Sequence, residues 1–516
     1  MKILDCTLRD GGYYTNWDFD EELVKIYAES IENLPIDYIE VGYRSIKLEG
    51  YLGKYFYCPL YVLKQLKEWM PSKKLVIILN EKDIKASDVK ELLEPCIPYI
   101  NMVRIAVDPQ NMERAIGLAK EVKKLDFEVA FNVMYMSSWT QDSSFIDLLI
   151  GMEDTLDYFY MVDSFGGVLP DEVINLIKII KSKIDIPLGF HGHNNLEMAL
   201  SNTLTAIEHN IDIVDATITG MGRGAGNLKM ELLLTVLQSQ NKIELDYNPL
   251  GHVTAVFNKL KEQYDWGTNL PYMVSGANSL PQKNVMEWVS NRFYSFNSII
   301  RALENQSHGL KDNIQLQVLN FDKEKQYQAA LIIGGGPNAV NHYSALKVFL
   351  ENNTDVVVIH ASSKNALSYS NISNDQYFCL VGNEGHRLEK VFSFENEIKG
   401  KCVLPPYPRK MGTYIPNKMK DNTYELEEID FTNKYKDSHT ALALQTAISL
   451  NVSKIYIAGY DGYPASLMGQ KEQELFKENE YLFIKVKDCI KHIELISLTP
   501  TRYDQLYPLS VYSSIS

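Results

Sequence analysis

The stretch MVRIAVDPQNMERAIGLAKEVKKLDFEVAFNVM, residues 102–134, carries the pattern that decides the fold. An apolar run at 102–107 is followed by an amphipathic stretch at 112–125 and by a second apolar run at 128–134. Short continuous apolar runs are typical of strands buried on both faces of a parallel sheet, and a helix is the usual connection between two of them. The segment therefore predicts a strand–helix–strand unit.

The same unit recurs on both sides of this segment. Strands are predicted, each followed by helix-like residues, at 2–7, 37–43, 75–80, 102–107, 128–134, 158–163, 187–193 and 212–218. Eight strands and eight helices within about 240 residues match the number and size of the elements in a TIM barrel. A doubly wound sheet would also produce alternating strands and helices, but it does not account for eight unbroken units.

The chain of 516 residues is too long for one ordinary core, so we expect more than one domain. The barrel is predicted over 1–248, and residues 249–306 are predicted to form a helical extension of it. The polar, irregular stretch at 307–327 predicts a linker. A new strand–helix pattern begins at AALIIGGGPN, so 328–516 is predicted to be a second, Rossmann-like α/β domain. The fold class predicted for the whole chain is α/β.

Composition narrows the classes of function. The formal net charge of −15 argues against binding to nucleic acid or to an anionic membrane surface. We see no apolar stretch long enough to span a bilayer, and the charged N-terminus is unlike a signal peptide. Six scattered cysteines without a C-x-x-C pair are typical of reduced thiols. We therefore expect a cytoplasmic enzyme that acts on small molecules, and the sequence leaves open whether it forms a homo-oligomer.

Polar residues follow the predicted strands at the end where a TIM barrel carries its active site. Arg9 and Asp10 follow the first strand in LDCTLRDGG, and His191 and His193 end the seventh in GFHGHNN. Alternate residues of a strand point to the same side, so both imidazoles can face one centre. One carboxylate and two imidazoles suit Mn²⁺, Mg²⁺, Co²⁺ or Zn²⁺. The alternative is a buried network of ion pairs around Asp10.

A metal beside an arginine suits chemistry on an enolate. A 2-oxo acid that chelates the metal would have acidified C3 protons, because the metal acts as a Lewis acid. Arg9 would donate a charge-assisted hydrogen bond to the enolate oxygen. The glycine-rich loop ITGMGRGAGN follows the eighth strand and would bring Arg223 or Asn227 to the substrate or the metal. The alternative is an ordinary turn before a helix capped by Asn227.

Together these motifs resemble the DRE-TIM metallolyases, also called the HMG-CoA-lyase-like family. The matching pieces are DCTLRDGG, YIEVGYRS, VRIAVDP, MVDSFGGVLP, GFHGHNN and GMGRGAGN, which span the predicted barrel. The resemblance implies a divalent metal held by Asp10, His191 and His193. It makes Asn227 an outer or occasional ligand. It also implies that Arg9 binds the enolate oxygen and that Glu40 orients water or substrate near the metal. The residues near this end of the barrel that we predict to bind substrate are Arg44, Asn132, Ser164 and Arg223.

Within the family, the 4-hydroxy-2-oxovalerate aldolases resemble this chain most. This implies a pyruvate-type aldolase acting on a 2-oxo acid and an aldehyde or sugar. Those aldolases carry an acid/base histidine shortly after R-D-G, where this chain has Tyr13 and Tyr14, so Tyr13 is the candidate proton shuttle. The glycine loop lacks the cysteine of HMG-CoA lyase, which argues against that chemistry. A Claisen-type acyl-CoA condensing enzyme or lyase is the alternative.

The second domain carries fewer signs of function. The sequence GGGPN after a strand resembles a loop whose glycine amides hold a nucleotide phosphate, and an ordinary turn is the alternative. With VGNEGHR and the segment at 439–462, it loosely resembles sialyltransferase-like Rossmann proteins, which implies a nucleotide-sugar ligand and glycan biosynthesis. The candidate nucleotide-binding residues are Gly334, Gly336, Asn338 and Asp461. A nucleotide-sugar-binding protein with an inactive barrel is a further alternative.

Overall fold

A computed structural model describes residues 1–290, 294–311, 313–319, 326–382, 384–393, 397–409, 411–463 and 470–515. The chain divides into two compact units, Met1–Glu287 and Trp288–Ser516. The division falls within the stretch predicted as a helical extension, and the predicted domain boundaries stay predictions. Within the predicted linker, residues 312 and 320–325 lie outside the described residues.

Eight parallel strands of the first unit close into a barrel in chain order. They are β1 (Lys2–Asp5), β2 (Tyr38–Tyr43), β3 (Lys74–Asn80), β4 (Met102–Val107), β5 (Glu128–Val133), β6 (Tyr158–Asp163), β7 (Leu188–Gly192) and β8 (Ile213–Ala216). The barrel closes where β8 pairs with β1, with Ile213 opposite Lys2. The predicted TIM barrel is confirmed.

Helices connect the strands and continue beyond the eighth one. They are α1 (Thr7–Thr15), α2 (Glu21–Glu32), α3 (Lys54–Tyr57), α4 (Leu60–Trp69), α5 (Val89–Leu93), α6 (Met112–Lys123), α7 (Pro170–Lys181), α8 (Ala199–Glu208), α9 (Met230–Ser239), α10 (Tyr247–Tyr264), α11 (Leu270–Ala277) and α12 (Gln282–Ser290). In α6, the buried residues Ala115, Leu118 and Val122 recur every three or four positions. This spacing puts them on the one face that packs against the barrel.

The interior of the barrel is apolar in one part and charged in another. Nine buried apolar residues form one cluster inside it, namely Leu4, Cys6, Tyr38, Val76, Met102, Ala130, Tyr160, Val162 and Ile213. Six strands also bury a charged or amide side chain, namely Asp5, Glu40, Arg104, Asn132, Asp163 and Asp215. Buried charges need partners, so this polar set marks the part of the barrel that holds the candidate site.

The second unit is built around a parallel sheet. Among its described residues, the strands follow the order β13-β12-β11-β10-β9-β14-β15-β16. They are β9 (Ala329–Ile333), β10 (Val356–His360), β11 (Gln376–Cys379), β12 (Lys401–Leu404), β13 (Thr423–Glu425), β14 (Lys454–Ala458), β15 (Glu494–Ser497) and β16 (Tyr507–Pro508). The direction of strand addition reverses between β9 and β14, which makes this position a topological switch point. The α/β class is confirmed, and the Rossmann-like assignment stays a prediction.

Helices precede these strands and alternate with them along the chain. They are α13 (Phe296–Ser307), α14 (Asn338–Asn341), α15 (Tyr343–Asn352), α16 (Glu384–Phe392), α17 (His439–Ser449) and α18 (Gln470–Cys489). Over the described part of the chain, none of the helices combines the length and apolar character needed to cross a membrane. The six cysteines are free thiols, and Cys489 is the exposed one.

Candidate metal and substrate site

The ends of β1 and β7 bring the predicted metal ligands together. Strand β1 ends at Asp5, and the short helix α1 that follows it carries Asp10. His191 lies on β7, and His193 comes one residue after the end of that strand. One donor atom from each of Asp10, His191 and His193 lies within 4.8 Å of the other two. The first and seventh strands thus supply one compact group of three donors.

The donor atoms fit a divalent cation. Nδ1 of His191 lies 2.8 Å from Oδ2 of Asp215, and Nδ1 of His193 donates to the carbonyl oxygen of Asp163 at 2.7 Å. The Nε2 atom of His191 is buried 3.6 Å from a carboxylate oxygen of Asp10, and it has no hydrogen-bond partner among the described residues. A buried imidazole nitrogen left without a partner beside a carboxylate is satisfied by a bound metal ion.

The charges around these ligands favour the forms that bind metal. Burial opposes the charged form of Asp10, but Arg9 and the two imidazoles outweigh it and lower the pKa of the carboxyl below its ordinary value. Burial, aided by the nearby His191, lowers the pKa of His193 to about 4. A carboxylate and a neutral imidazole are therefore present near pH 7, as metal binding requires.

Arg9 is fixed between two carboxylates. Its Nη1 donates to Asp10, and its Nε donates to Oε2 of Glu40 at 2.6 Å. Glu40 is fully buried, and Arg9 is 7% exposed. The guanidinium plane is thus held by two charge-assisted hydrogen bonds, which leaves Nη2 as the nitrogen that can donate to a substrate.

Arg104 and Asp215 also belong to the site, although neither was predicted from the sequence. Nη1 of Arg104 lies 3.4 Å from Oε1 of Glu40, and its Nη2 donates to Oδ2 of Asp215 at 2.7 Å. Asp215 in turn holds the ring of His191. The available signal was the charge in the middle of each of two apolar runs, Arg104 in MVRIAV and Asp215 in DIVDATI, because a charge buried in a strand needs a partner.

The predicted substrate-binding residues fall in different surroundings. Asn132 accepts a hydrogen bond from Nε of Arg104 at 2.6 Å, so it touches the charged network. Oγ of Ser164 accepts from the backbone amide of Tyr135 at 2.9 Å. Arg44 donates to three backbone carbonyls of nearby segments, and these contacts do not bring it to the metal ligands. The substrate-binding roles of these residues stay predictions.

The glycine loop after β8 lies against the ligands. Nδ2 of Asn227 donates to Oδ2 of Asp10, while its Oδ1 is buried with no hydrogen-bond partner among the described residues. A Cβ at Gly222 would lie 2.5 Å from Nδ2 of Asn227, so any larger residue there would displace the Asn227 side chain. The guanidinium carbon of Arg223 lies 5.3 Å from the ring centroid of Tyr13. The loop therefore brings Asn227 to a metal ligand and Arg223 to the candidate proton shuttle.

Two tyrosine hydroxyls lie beside this loop and Arg9. Tyr13 is 36% exposed, and its hydroxyl oxygen lies 3.2 Å from that of Tyr43. Burial, with a contribution from Tyr13, raises the pKa of Tyr43 well above its ordinary value, and Arg9 is close enough to oppose that shift. Tyr43 ends the second predicted strand, and it was not predicted to be a site residue.

The predicted nucleotide-binding residues meet at the switch point of the second sheet. The backbone amides of Gly334 and Gly336 donate to carbonyls at the end of β14, and that of Asn338 donates to Oδ2 of Asp461 at 3.0 Å. These three amides are therefore engaged by the protein itself, and a phosphate bound to them would have to replace those bonds. The nucleotide-binding role stays a prediction.

Known proteins similar to this chain share the barrel. The profile of the HMGL-like family matches residues 101–256. The crystal structure of the N-terminal domain of a protein assigned as an aldolase from Bacteroides vulgatus is 55% identical, and the match covers 58% of this chain and 100% of that one with a TM-score of 0.56. The 4-hydroxy-2-oxovalerate aldolase of Geobacillus thermodenitrificans is 30% identical over 46% of this chain and 68% of its own. The oxaloacetate decarboxylase of Mycobacterium tuberculosis is 26% identical over 49% of this chain and 72% of its own.

Proposed function

Because the chain belongs to the HMGL-like family of DRE-TIM metallolyases, we propose that it is a divalent-metal-dependent, pyruvate-type aldolase. The reaction makes or cleaves the carbon–carbon bond between a 2-oxo acid and an aldehyde. The observation that carries the proposal is the group of Asp10, His191 and His193, whose donor atoms lie within 4.8 Å of one another beside Arg9. Relatives named as an aldolase and as a decarboxylase of 2-oxo acids support the same enolate chemistry.

The metal would be held by Asp10, His191 and His193, with Asn227 as an additional ligand. When bound, a divalent cation supplies a Lewis acid that polarises the keto group of the 2-oxo acid and makes its C3 protons more acidic. A ligand set of one carboxylate and two imidazoles is compatible with Mn²⁺, Mg²⁺, Co²⁺ and Zn²⁺.

Arg9 would stabilise the negative charge that develops on the substrate oxygen. Its hydrogen bonds to Asp10 and Glu40 fix the guanidinium before substrate arrives, so no reorganisation is needed during the reaction. A hydrogen bond from a charged donor is worth about 1.5 to 3 kcal/mol. Glu40 is buried and paired with both Arg9 and Arg104, which supports a positioning role for it through Arg9.

Tyr13 and Tyr43 would carry the proton. In the synthetic direction, C3 of the 2-oxo acid loses one proton to solvent as the enolate forms, C3 then forms a bond to the aldehyde carbon, and the aldehyde oxygen takes up one proton; cleavage reverses these events. The two hydroxyl oxygens lie 3.2 Å apart, with the exposed Tyr13 next to the buried Tyr43. A pair of neutral hydroxyls can pass a proton between solvent and the site, because each accepts from one neighbour while it donates to another.

Exchange of the C3 protons of pyruvate into D₂O, followed by NMR, tests the proposal without an aldehyde. We expect exchange that depends on added Mn²⁺ and is lost in Asp10→Asn and in His191→Ala. The matched control is Asp185→Asn, which removes an exposed carboxylate before β7 and should leave the exchange rate unchanged. Exchange that persists in both site variants would exclude the proposed site.

Decarboxylation of oxaloacetate is the second candidate reaction. It passes through the same pyruvate enolate, and the observation that favours it is the similarity to the Mycobacterium tuberculosis enzyme. Release of CO₂ from oxaloacetate, compared with cleavage of 4-hydroxy-2-oxovalerate at equal enzyme concentration, separates the two reactions. Consumption of a 2-oxo acid with acetyl-CoA, but with no aldehyde, would instead identify a Claisen-type condensation.

A further inference from the structure

We propose that a pocket at the ends of β4 and β5 binds the electrophile, and that this electrophile is an uncharged aldehyde carrying several hydroxyl groups, such as a short sugar in its open-chain form. The inference rests on the proposed function and adds the class of the second substrate. The pocket has a volume of about 610 Å³, enough for a molecule of this size.

The pocket lies at the same end of the barrel as the metal ligands. Asp108 directly follows β4, and Tyr135 comes two residues after β5. The backbone amide of Tyr135 donates to Oγ of Ser164 at 2.9 Å. Ser164 follows Asp163, whose carbonyl oxygen accepts from Nδ1 of His193 at 2.7 Å. Ser164 therefore connects Tyr135, in the pocket wall, with the adjacent Asp163, whose carbonyl oxygen orients the ring of His193.

Tyr135 forms the border between the pocket and the site. Its ring stacks on Phe165 with centroids 5.3 Å apart, and its backbone φ of 64° lies in the left-handed region that non-glycine residues seldom adopt. Burial raises its pKa, and the charges of Asp108, Arg223 and Tyr13 also act on it. Tyr135 therefore lies near the pocket residue Asp108 and near the site residues Arg223 and Tyr13, which suits a wall that both substrates share.

The lining matches a hydroxylated molecule. Polar side chains line it from both loops, namely Asp108, Gln110, Ser138, Gln141, Asp142 and Ser144. Carboxylates accept from hydroxyl groups, and carboxamides both donate to and accept from them. The half-buried ring of Tyr135 adds aromatic surface, against which the C–H side of a sugar chain packs, whereas Trp139 and Phe145 lie behind the lining and are only 2% and 8% exposed. A chain of hydroxyl-bearing carbons uses both kinds of contact, whereas a simple alkyl aldehyde uses the aromatic surface alone.

The charge of the lining excludes anionic electrophiles. Asp108 and Asp142 are acidic, and the residues that line the pocket, all within the described part of the chain, include no lysine or arginine. Each carboxylate accepts one backbone amide, from Gln110 at 3.0 Å and from Ser144 at 2.9 Å, which fixes its position. A phosphate or a second carboxylate would meet like charge, and Lys183, whose charge reaches Asp142, is not part of the lining and is already paired with Asp147 at 2.8 Å.

Aldol addition with aldehydes of matched length tests the hydroxyl requirement. We expect kcat/KM with pyruvate to be about 10- to 100-fold higher for erythrose than for butanal, because two or three hydrogen bonds distinguish them. We also expect glyceraldehyde to be preferred over glyceraldehyde 3-phosphate. Equal values for erythrose and butanal, or a preference for the phosphate, would overturn the proposal.

Substitutions in the pocket test whether the preference for erythrose over butanal originates there. Asp108→Asn and Gln141→Ala should lower the ratio of the two kcat/KM values, erythrose over butanal, by about fivefold or more, mainly through KM for erythrose. The matched control is Asp147→Asn, since Asp147 belongs to the same loop and pairs with Lys183 at 2.8 Å but does not line the pocket. An unchanged ratio in both pocket variants would show that the pocket does not select the electrophile.

Proton exchange on pyruvate separates this proposal from the function on which it rests. Exchange without a preference for erythrose would refute the pocket assignment alone, whereas absence of exchange would refute the proposed function. In that second case, binding of erythritol measured by saturation-transfer NMR still tests the pocket. We expect a signal with the unmodified protein that is weakened in Gln141→Ala, and no signal with the unmodified protein would overturn the proposal.

Discussion

Asp215→Asn is expected to weaken Mn²⁺ binding by about 10- to 100-fold although Asp215 is not itself a proposed ligand. Its carboxylate lies 2.8 Å from Nδ1 of His191 and 2.7 Å from Nη2 of Arg104. The negative charge of Asp215 keeps the proton of His191 on Nδ1 and makes Nε2 a stronger ligand for the metal. The amide of asparagine carries no such charge. The expected loss of binding free energy is about 1.4 to 2.7 kcal/mol.

The same substitution should also destabilise the barrel. Removing one partner of a buried ion pair costs about 3 to 5 kcal/mol. Arg104 would still have Oε1 of Glu40 at 3.4 Å and the side-chain oxygen of Asn132 at 2.6 Å. Because these contacts compensate part of its charge, we expect the lower end, about 3 kcal/mol.

Calorimetric titration with Mn²⁺ and urea unfolding without metal measure the two effects separately. Asp185→Asn makes the same chemical change at an exposed position and should alter neither quantity. Asp215→Glu, which keeps the charge, should lose less affinity than Asp215→Asn. A folded Asp215→Asn protein that binds Mn²⁺ within about twofold of the unmodified protein would refute the proposed coupling.

Three further changes have defined outcomes. Gly222→Ala places a Cβ 2.5 Å from Nδ2 of Asn227 and should slow pyruvate proton exchange by about 10²-fold, with circular dichroism unchanged. Tyr43→Phe should slow aldol addition of pyruvate to an aldehyde by about 10²-fold, and more than Tyr13→Phe does, because water can replace the exposed hydroxyl; equal rates of addition in the two variants would argue against the relay. Burial lowers the pKa of His360 to about 4, so the unfolded chain binds an additional proton between about pH 6.5 and 4. Stability should therefore fall by about 3 kcal/mol as the pH drops through this window, and His360→Phe should remove that slope, as measured by hydrogen exchange of the β10 amides.

The barrel could be predicted from the sequence because buried parallel strands are continuous apolar runs. The strands Met102–Val107 and Tyr158–Asp163 have the predicted bounds, and the other six differ by a few residues at most. The position of Asp10 on a helix was not predictable, because the segment TLRDGGYYT contains two glycines and has low helix propensity. That helix depends on tertiary contacts, and a Cβ at Gly12 would lie 2.1 Å from the ring of Trp17.

Long-range pairing limited the rest of the prediction. Arg104 and Asp215 are 111 positions apart, and no local pattern indicates that they share a hydrogen bond. In the second unit, the strands β12, β13, β15 and β16 have two to four residues and were not predicted. Strands this short carry too few residues to show a period, so their place in the sheet is decided by their neighbours.

The proposed ligands lie on both sides of the seam at which the first strand of the barrel, β1, pairs with the last, β8. Asp10 follows β1, whereas Asn227, which is hydrogen-bonded to it, is 217 positions away in the loop after β8. The complete ligand set therefore exists only after the last strand has joined the first. A cation at 100 times its Kd would favour the closed barrel over any state with an open seam by about 2.7 kcal/mol. Scarcity of metal would then shorten the lifetime of the folded protein in the presence of proteases, and the supply of metal would control its abundance as well as the fraction of it that is active.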